Sequence, residues 1–178
     1  IKDPDARAAA FATYPQPAMC RHATASYRSQ AAAALAGERF DAVHVMRSYM
    51  APYAEPFLST PRQRGPLRAS IDLDDDEAIT QRRLATLAAR TGDAAGAGFY
   101  EAEATKYERF EPQWLRRFRL LIAGSPAHAQ KIAASYPDLA VDIVTNTVAL
   151  PVVRQRRQRH ARILFVGNLS YLPNVDGI

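Results

Sequence analysis

The stretch Arg162-Ile-Leu-Phe-Val-Gly-Asn-Leu-Ser-Tyr-Leu-Pro-Asn-Val-Asp-Gly-Ile178 decides how the chain is read, although it comes last. Ile163 to Val166 is a short continuous apolar run closed by Gly167 and Asn168. Such a run predicts a strand buried on both faces of a parallel sheet, followed by a tight turn. Pro173 predicts a rigid start for a helix with Asn174 and Asp176 in its first turn. A strand, a glycine turn and a helix N-terminus together present backbone N–H groups to a phosphate. A single strand has nowhere to bury two faces, so the segment is expected to open a second domain of which this sequence holds only the start. Its strand is expected to stay out of the centre of the main sheet. It should be displaced, exposed or paired with another copy of the chain, because an unpaired apolar strand is an association hazard.

Just before this stretch lie Arg154, Arg156, Arg157, Arg159 and Arg162. They account for the whole net charge of +5, because the other basic residues only balance the 18 acidic ones. The excess belongs to one segment and not to a face of the fold, which argues against nucleic-acid binding. We read residues 151–161 as a solvated basic linker between domains. The alternative is a patch that attracts anionic lipid or a nucleotide phosphate.

The chain has 178 residues and is 48% hydrophobic, enough for one domain with a real core. There is no signal-peptide pattern and no long apolar run. The one cysteine, Cys20, excludes an internal disulfide and a cysteine-rich metal site and fits a reducing, cytoplasmic setting.

Further back, the pattern alternates. Residues 1–20 predict a short alanine-rich helix broken by Pro15 and Pro17. Arg21 to Ala36 predicts a helix ended by Gly37, with Ala31–Ala34 suited to close packing on a sheet. Phe40–Met46 reads as a strand, Met50–Leu58 as a helix or turn-rich segment, and 61–67 as a loop. Ala69–Leu73 reads as a second strand entering Asp74, Asp75, Asp76 and Glu77, which head a helix running to about Arg90. Thr91–Gly98 reads as a loop and Phe99 to about Glu111 as a helix that Pro112 ends or kinks, with Trp114 packing beyond. Leu120–Ala123 is a third strand, Pro126 opens a helix to Ser135, and Val141–Thr145 is a fourth strand. The expected fold class is α/β, a Rossmann-like parallel sheet of about four strands within residues 41–146, with helices on both faces.

Ligands of open parallel sheets bind outside the carboxyl ends of the strands. The polar residues just past those ends are Arg47, Asp72 with Asp74 and Asp75, Ser125, Asn146, and Gly167 with Asn168. Asp72 and Asp74 are two apart, so on a strand both point to one face. Carboxylates that close repel, so one keeps its proton or they share a cation. Asp75 and Asp76 are read as caps of the following helix. For Asp72, function and a partnered structural role weigh equally. His44, inside the first strand, is read as a satisfied structural histidine. Arg47 is placed to reach an acceptor or phosphate. Ser125 is placed to donate to a ligand or to cap the helix after it. Gly167 suits a diphosphate close to the backbone, or a plain turn. There is no hydrolytic triad, no Walker sequence and no Gly-x-Gly-x-x-Gly fingerprint.

The final segment, "ILFVGNLSYLPNVDGI", resembles the start of the nucleotide-sugar domain of GT-B glycosyltransferases, specifically the retaining, RfaB-like group. The resemblance extends to "DIVTNTVALP", "LLIAGSPAHAQKI", "ASIDLDDDEA" and "FDAVHVMRSYMAPYA", in that family's order. It implies that residues 1–150 are the later part of an acceptor-side domain, 151–161 the linker, and 162–178 the first strand and loop of the donor domain. It implies transfer of a sugar from a nucleotide-sugar donor to a saccharide or lipid-linked acceptor in bacterial polysaccharide or glycolipid synthesis. The setting implied is cytoplasmic, peripheral at the inner membrane, with no metal or cofactor. Asp72 and Asp74 fall where the family often has a histidine or aspartate near the reacting sugar, and His44 where it often has a histidine. Gly167 and Asn168 fall at the donor diphosphate, and Asn146 before the linker, with Thr147 where glycine is usual. The paired-glutamate donor motif lies outside these residues, so this stretch is expected to be inactive alone.

Two alternatives stay open. "SIDLDDDEA" also resembles the nucleophile strand of haloacid-dehalogenase-like phosphotransferases, with Asp72 as nucleophile and Asp74 as acid–base around magnesium. Asp75 and Asp76 depart from that family, which has a small residue and then Thr or Val there. The third reading is a non-catalytic interaction module. A homo-oligomer through the terminal strand is compatible with each.

Overall fold

Four short strands carry the architecture of the computed structural model: β1 (Ala42–Met46), β2 (Arg68–Asp72), β3 (Leu120–Ala123) and β4 (Ala140–Ile143). All neighbours pair in parallel, in the order β1-β2-β3-β4, with Val45 opposite Ile71 and Ile71 opposite Leu121. The α/β class and the all-parallel sheet are as the alternating pattern predicts. The described residues are 14–38, 40–58, 68–147, 149, 164–168 and 174. The expectations for residues 1–13, the loop 61–67, the linker 151–161, Ile163, Pro173 and Asp176 fall outside them.

The helices are α1 (Ala25–Ala34), α2 (Glu55–Leu58), α3 (Glu77–Arg90), α4 (Ala94–Leu115) and α5 (Pro126–Ser135), with 3-10 turns at Ala18–His22 and Ser48–Ala54. Val45, Ala69, Ile71, Leu73, Leu121 and Ala123 form one core with Phe110, Trp114 and Leu115 of α4, and Ala129 and Ile132 of α5. The alternate strand residues tell a different story. Ala42, His44 and Met46 are exposed, and Ser70, Asp72, Leu120 and Ile122 are half-buried. Helices on both faces are expected from sequence; among the described residues the buried core lies on one face, and the other is exposed on β1 and half-buried on β2 and β3. Strand order is the reason: right-handed crossovers between strands that neighbour each other in sequence all lie on the same side.

Three local expectations are corrected. Helix α1 buries no residue, so Ala31–Ala34 do not pack on the sheet. It is held instead by the Thr24 cap on the Tyr27 amide (3.1 Å), by Tyr27 edge-on to Tyr53, and by Arg28 paired with Glu55. It spans Ala25–Ala34 rather than Arg21–Ala36 and is capped at Leu35, with Gly37 at φ +90° in the turn beyond. The expected loop Thr91–Gly98 shrinks, because Asp93 accepts from the Gly96 amide (2.8 Å) and starts α4 at Ala94. Helix α4 also runs three residues past Pro112, since burial of Trp114 and Leu115 outweighs the hydrogen bond proline cannot make.

Helices α3 and α4 form a long antiparallel hairpin. Its inner polar anchor is Glu103, 3% exposed, which accepts from the Ala18 amide and from Lys106, each at 2.7 Å. It ties the N-terminal 3-10 turn to α4. Glu103→Ala is expected to cost about 2–4 kcal/mol, because it removes one member of a buried charge pair and orphans a buried amide. Urea unfolding checks this; a loss below about 0.5 kcal/mol, the scale of a surface change, would show that the anchor is dispensable.

By contacts within the chain, Ile1–Thr145 is one unit and Asn146–Ile178 another. In the second unit, Leu164 and Val166 are 84% exposed and Phe165 is 44% exposed. No strand is assigned to residues 164–166, so the expected buried strand is not seen there.

Candidate functional site

The carboxyl edge of the sheet collects the charged residues. Arg47, the residue after β1, has φ +74°, and Asp74, two residues after β2, has φ +53°. A side chain in the left-handed region costs about 1–3 kcal/mol unless its surroundings over-determine it. Here they do. The Arg47 amide donates to the Asp72 carbonyl at 2.7 Å, extending the β1–β2 ladder by one bond. Its guanidinium fans across three carboxylates: Asp74 at 2.6 Å, Asp75 at 3.3 Å and Glu77 at 3.2 Å. The Asp72 Oδ1 accepts from the Asp74 amide at 2.9 Å, which closes the turn that flips Asp74. Gly124 packs closely under this turn: a Cβ there would stand 3.1 Å from the Asp74 carbonyl oxygen, so a larger residue would press on it.

This corrects the picture of Asp72 and Asp74 as a same-face pair on a strand. β2 ends at Asp72, and the left-handed Asp74 turns its carboxylate to Arg47. Asp72 lies on the open face beside Ser70, whose hydroxyl pairs with His44 Nδ1 at 2.9 Å. His44 is satisfied there, but exposed rather than enclosed. A hydrogen-bonded histidine and serine are the minimum of a nucleophile, yet both stand mid-strand, where the neighbouring backbone N–H groups serve the ladder. We read them as a cross-strand polar pair.

Ser125 caps α5, accepting from the His128 amide at 3.2 Å. Asp76 caps α3 through the Ile79 amide at 3.0 Å and also binds Lys131 of α5. Burial pushes the Asp76 carboxyl up, but the Lys131 ammonium and the Ile79 amide outweigh it and hold it below the usual range. Burial holds Glu77 above its ordinary value against the pull of Arg47, and lowers His128. Asn146, Gly167 and Asn168 belong to the second unit. Asn146 is exposed. A Cβ on Gly167 would meet the Phe165 ring and the Asn174 side chain at 2.9 Å, and Asn174 donates to the Asn168 carbonyl at 3.0 Å. The described part of that loop is thus closed upon itself.

Sequence reasoning missed Glu77, Lys131 and Glu111. Glu111 is half-buried on α4, and burial first, then Asp76 and Glu77, push its carboxyl up to about 7. Its sequence signal is faint: a glutamate in a helix face otherwise lined by Tyr107, Phe110 and Trp114. A carboxyl raised on folding favours the folded state below about pH 4.5, its unfolded value, and that contribution is lost as pH rises through about 7. At ~1.4 kcal/mol per unit, the loss is at most about 3 kcal/mol. Glu111→Gln is therefore expected to flatten the stability–pH curve between about 5 and 8 and to be the more stable variant at the alkaline end. Thermal unfolding across that range checks it; a curve unchanged by the substitution contradicts it. Asp76 acts oppositely: its stabilisation is present above its unfolded value of 3.8 and lost as pH falls below it.

Among the described residues, no group of three or more His, Cys, Asp and Glu is arranged to hold a metal ion, and no helix is long and apolar enough to cross a membrane. No protein-family model, curated protein or solved structure matches this chain.

Proposed function

We propose that the chain is the acceptor-side portion of a GT-B glycosyltransferase, joined by its arginine-rich segment to the opening of a nucleotide-sugar domain. The observation that carries this reading is an alignment of two orders. Arg47, Asp72, Asp74 and Ser125 come from the segments resembling that family, and they stand at or just past the carboxyl ends of the strands of one parallel sheet, with His44 further back in β1. That end is where such sheets bind ligands. In this reading Asp72, on the open face, helps to position the reacting sugar. Arg47 shapes the edge rather than gripping a phosphate, because three carboxylates already hold it. The donor is a nucleotide sugar and the acceptor a saccharide or a lipid-linked saccharide. The haloacid-dehalogenase-like reading is weaker, since Asp74, its acid–base, is engaged by Arg47 at 2.6 Å.

The test is a transfer assay on the protein carrying residues 1–178 within its complete reading frame, against a panel of nucleotide sugars. Release of nucleoside diphosphate coupled to glycoside formation is the expected result. Hydrolysis of phosphate monoesters that requires magnesium, without turnover of any nucleotide sugar, would overturn the reading in favour of the phosphotransferase.

A further inference from the structure

The turn after β2 is held in an uncommon shape, and its fixings all lead to Asp72. Arg47 and Asp74 stand at neighbouring strand ends, and both lie in the left-handed region, at φ +74° and +53°. Residues with a side chain keep that conformation only where their surroundings over-determine it. Two bonds from Arg47 do so here. Its amide donates to the Asp72 carbonyl at 2.7 Å, and its guanidinium binds the Asp74 carboxylate at 2.6 Å. Arg47 thus grips the turn at both ends, by the backbone of Asp72 and by the side chain of Asp74. Held in this way, Asp74 brings its own amide to Asp72 Oδ1 at 2.9 Å. Leu73, between them, is 3% exposed and donates to the Ile122 carbonyl at 2.9 Å, which anchors the middle of the turn on β3.

The remaining carboxylates fix the grip itself. Asp75 and Glu77 both bind Nη1 of Arg47, while Asp74 binds Nη2. A guanidinium is a rigid planar fork, so fixing one nitrogen also sets where the other points. Glu77 is buried at the head of α3, and it therefore ties the fork to a helix rather than to a loose side chain.

We infer that Arg47 and Asp74 form a clamp that positions Asp72. Arg47 holds Asp74 in the left-handed turn, and the turn fixes the Asp72 carboxylate at the strand end. Asp74 is then a positioning residue and not a second catalytic carboxylate. The effect of the clamp on sugar transfer rests on the glycosyltransferase reading; the clamp as a structural device does not.

The experiment compares Asp74→Ala with Asp74→Gly in the full-length protein, by amide hydrogen exchange and by sugar transfer. Both lose the carboxylate that Arg47 holds. Alanine keeps a Cβ that disfavours φ +53°, whereas glycine adopts it without strain. Relative to each residue's intrinsic rate, exchange at position 74 is expected to quicken at least ~10-fold with alanine and to stay within ~3-fold with glycine, the Leu121 amide in the core unchanged in both. Transfer should fall by about 10²-fold in kcat with alanine, the scale of a misplaced group, with KM little altered, and glycine should restore most of it. Arg47→Gly, in which glycine fits φ +74°, should quicken exchange at position 74 as Asp74→Ala does. Should it not fold because Glu77 loses its cation, Glu77→Gln is added and the same readout taken. An Asp74→Gly protein with a protected amide but transfer as low as in Asp74→Ala would make the Asp74 carboxylate a catalytic group and overturn its positioning role. Unchanged exchange at position 74 in Asp74→Ala or in Arg47→Gly would overturn the clamp itself. Absence of transfer in the unsubstituted protein would sink the glycosyltransferase reading alone, and exchange would still decide the clamp.

Discussion

If the proposed glycosyltransferase reading holds, replacing Asp72 with asparagine in the full-length protein is expected to lower sugar transfer by at least ~10²-fold, the scale of a positioned electrostatic or acid–base group. Stability should change by less than about 0.5 kcal/mol. The structure makes this substitution informative, because the local role of Asp72 is to accept the Asp74 amide at Oδ1. An asparagine Oδ1 accepts the same bond, so the turn, the left-handed Asp74 and the fan on Arg47 all survive. Only the charge on the open face is removed. Asp72→Ala supplies the contrast, since it loses charge and turn together and should cost about 1 kcal/mol of stability as well. Kinetics with thermal unfolding on both variants separates the roles. Normal turnover in Asp72→Asn with a clear loss of stability in Asp72→Ala would make Asp72 a structural turn residue only.

Phe118→Ala is expected to have the largest effect on stability, about 3–5 kcal/mol. Phe118 is 1% exposed and lies between the end of α4 and the start of β3, with its amide donating to the Leu115 carbonyl at 3.0 Å. Removing the ring leaves a cavity in the buried cluster that also holds Leu115, Leu121 and Trp114. Because a domain's total stability is about 5–15 kcal/mol, a loss of that size would leave a measurable unfolded fraction at elevated temperature. Leu164→Ala is the matched control: at 84% exposure it should shift stability by less than about 0.5 kcal/mol. Denaturant unfolding of the two variants side by side tests the pair. Equal effects would mean that Phe118 is not part of the core.

The periodic signals proved the most legible. β3 and α5 fall where the apolar run at Leu120–Ala123 and the Ser125-Pro126 start place them, because a run and a cap are local properties of the chain. The class of sheet was legible for a related reason: strands separated by helix-length segments have room for the crossovers that parallel pairing requires. The boundary errors share one cause. Gly96, Gly98 and Pro112 disfavour helix locally, but α4 packs along α3 and buries Phe110, Trp114 and Leu115 in the core, and tertiary burial exceeds the local penalty.

The sequence by itself determined that Arg47, Asp72, Asp74, Asp75 and Ser125 stand at or just past the carboxyl ends of β1, β2 and β3, since that follows from where those strands stop, but not that Asn146, Gly167 and Asn168 belong to a second unit. Only the tertiary structure decided what those residues do to one another. Asp74 is two residues from Asp72 in sequence, yet its partner is Arg47, on a different strand end, and the pairing depends on a left-handed turn that no periodicity encodes. Glu111 has a raised carboxyl only because folding buries it and brings Asp76 and Glu77, from another helix, into its field. The open face has the same origin. Alternation in the strands is compatible with one covered face or two, and it is the order of the strands in space, a long-range property, that puts every described crossover on one side.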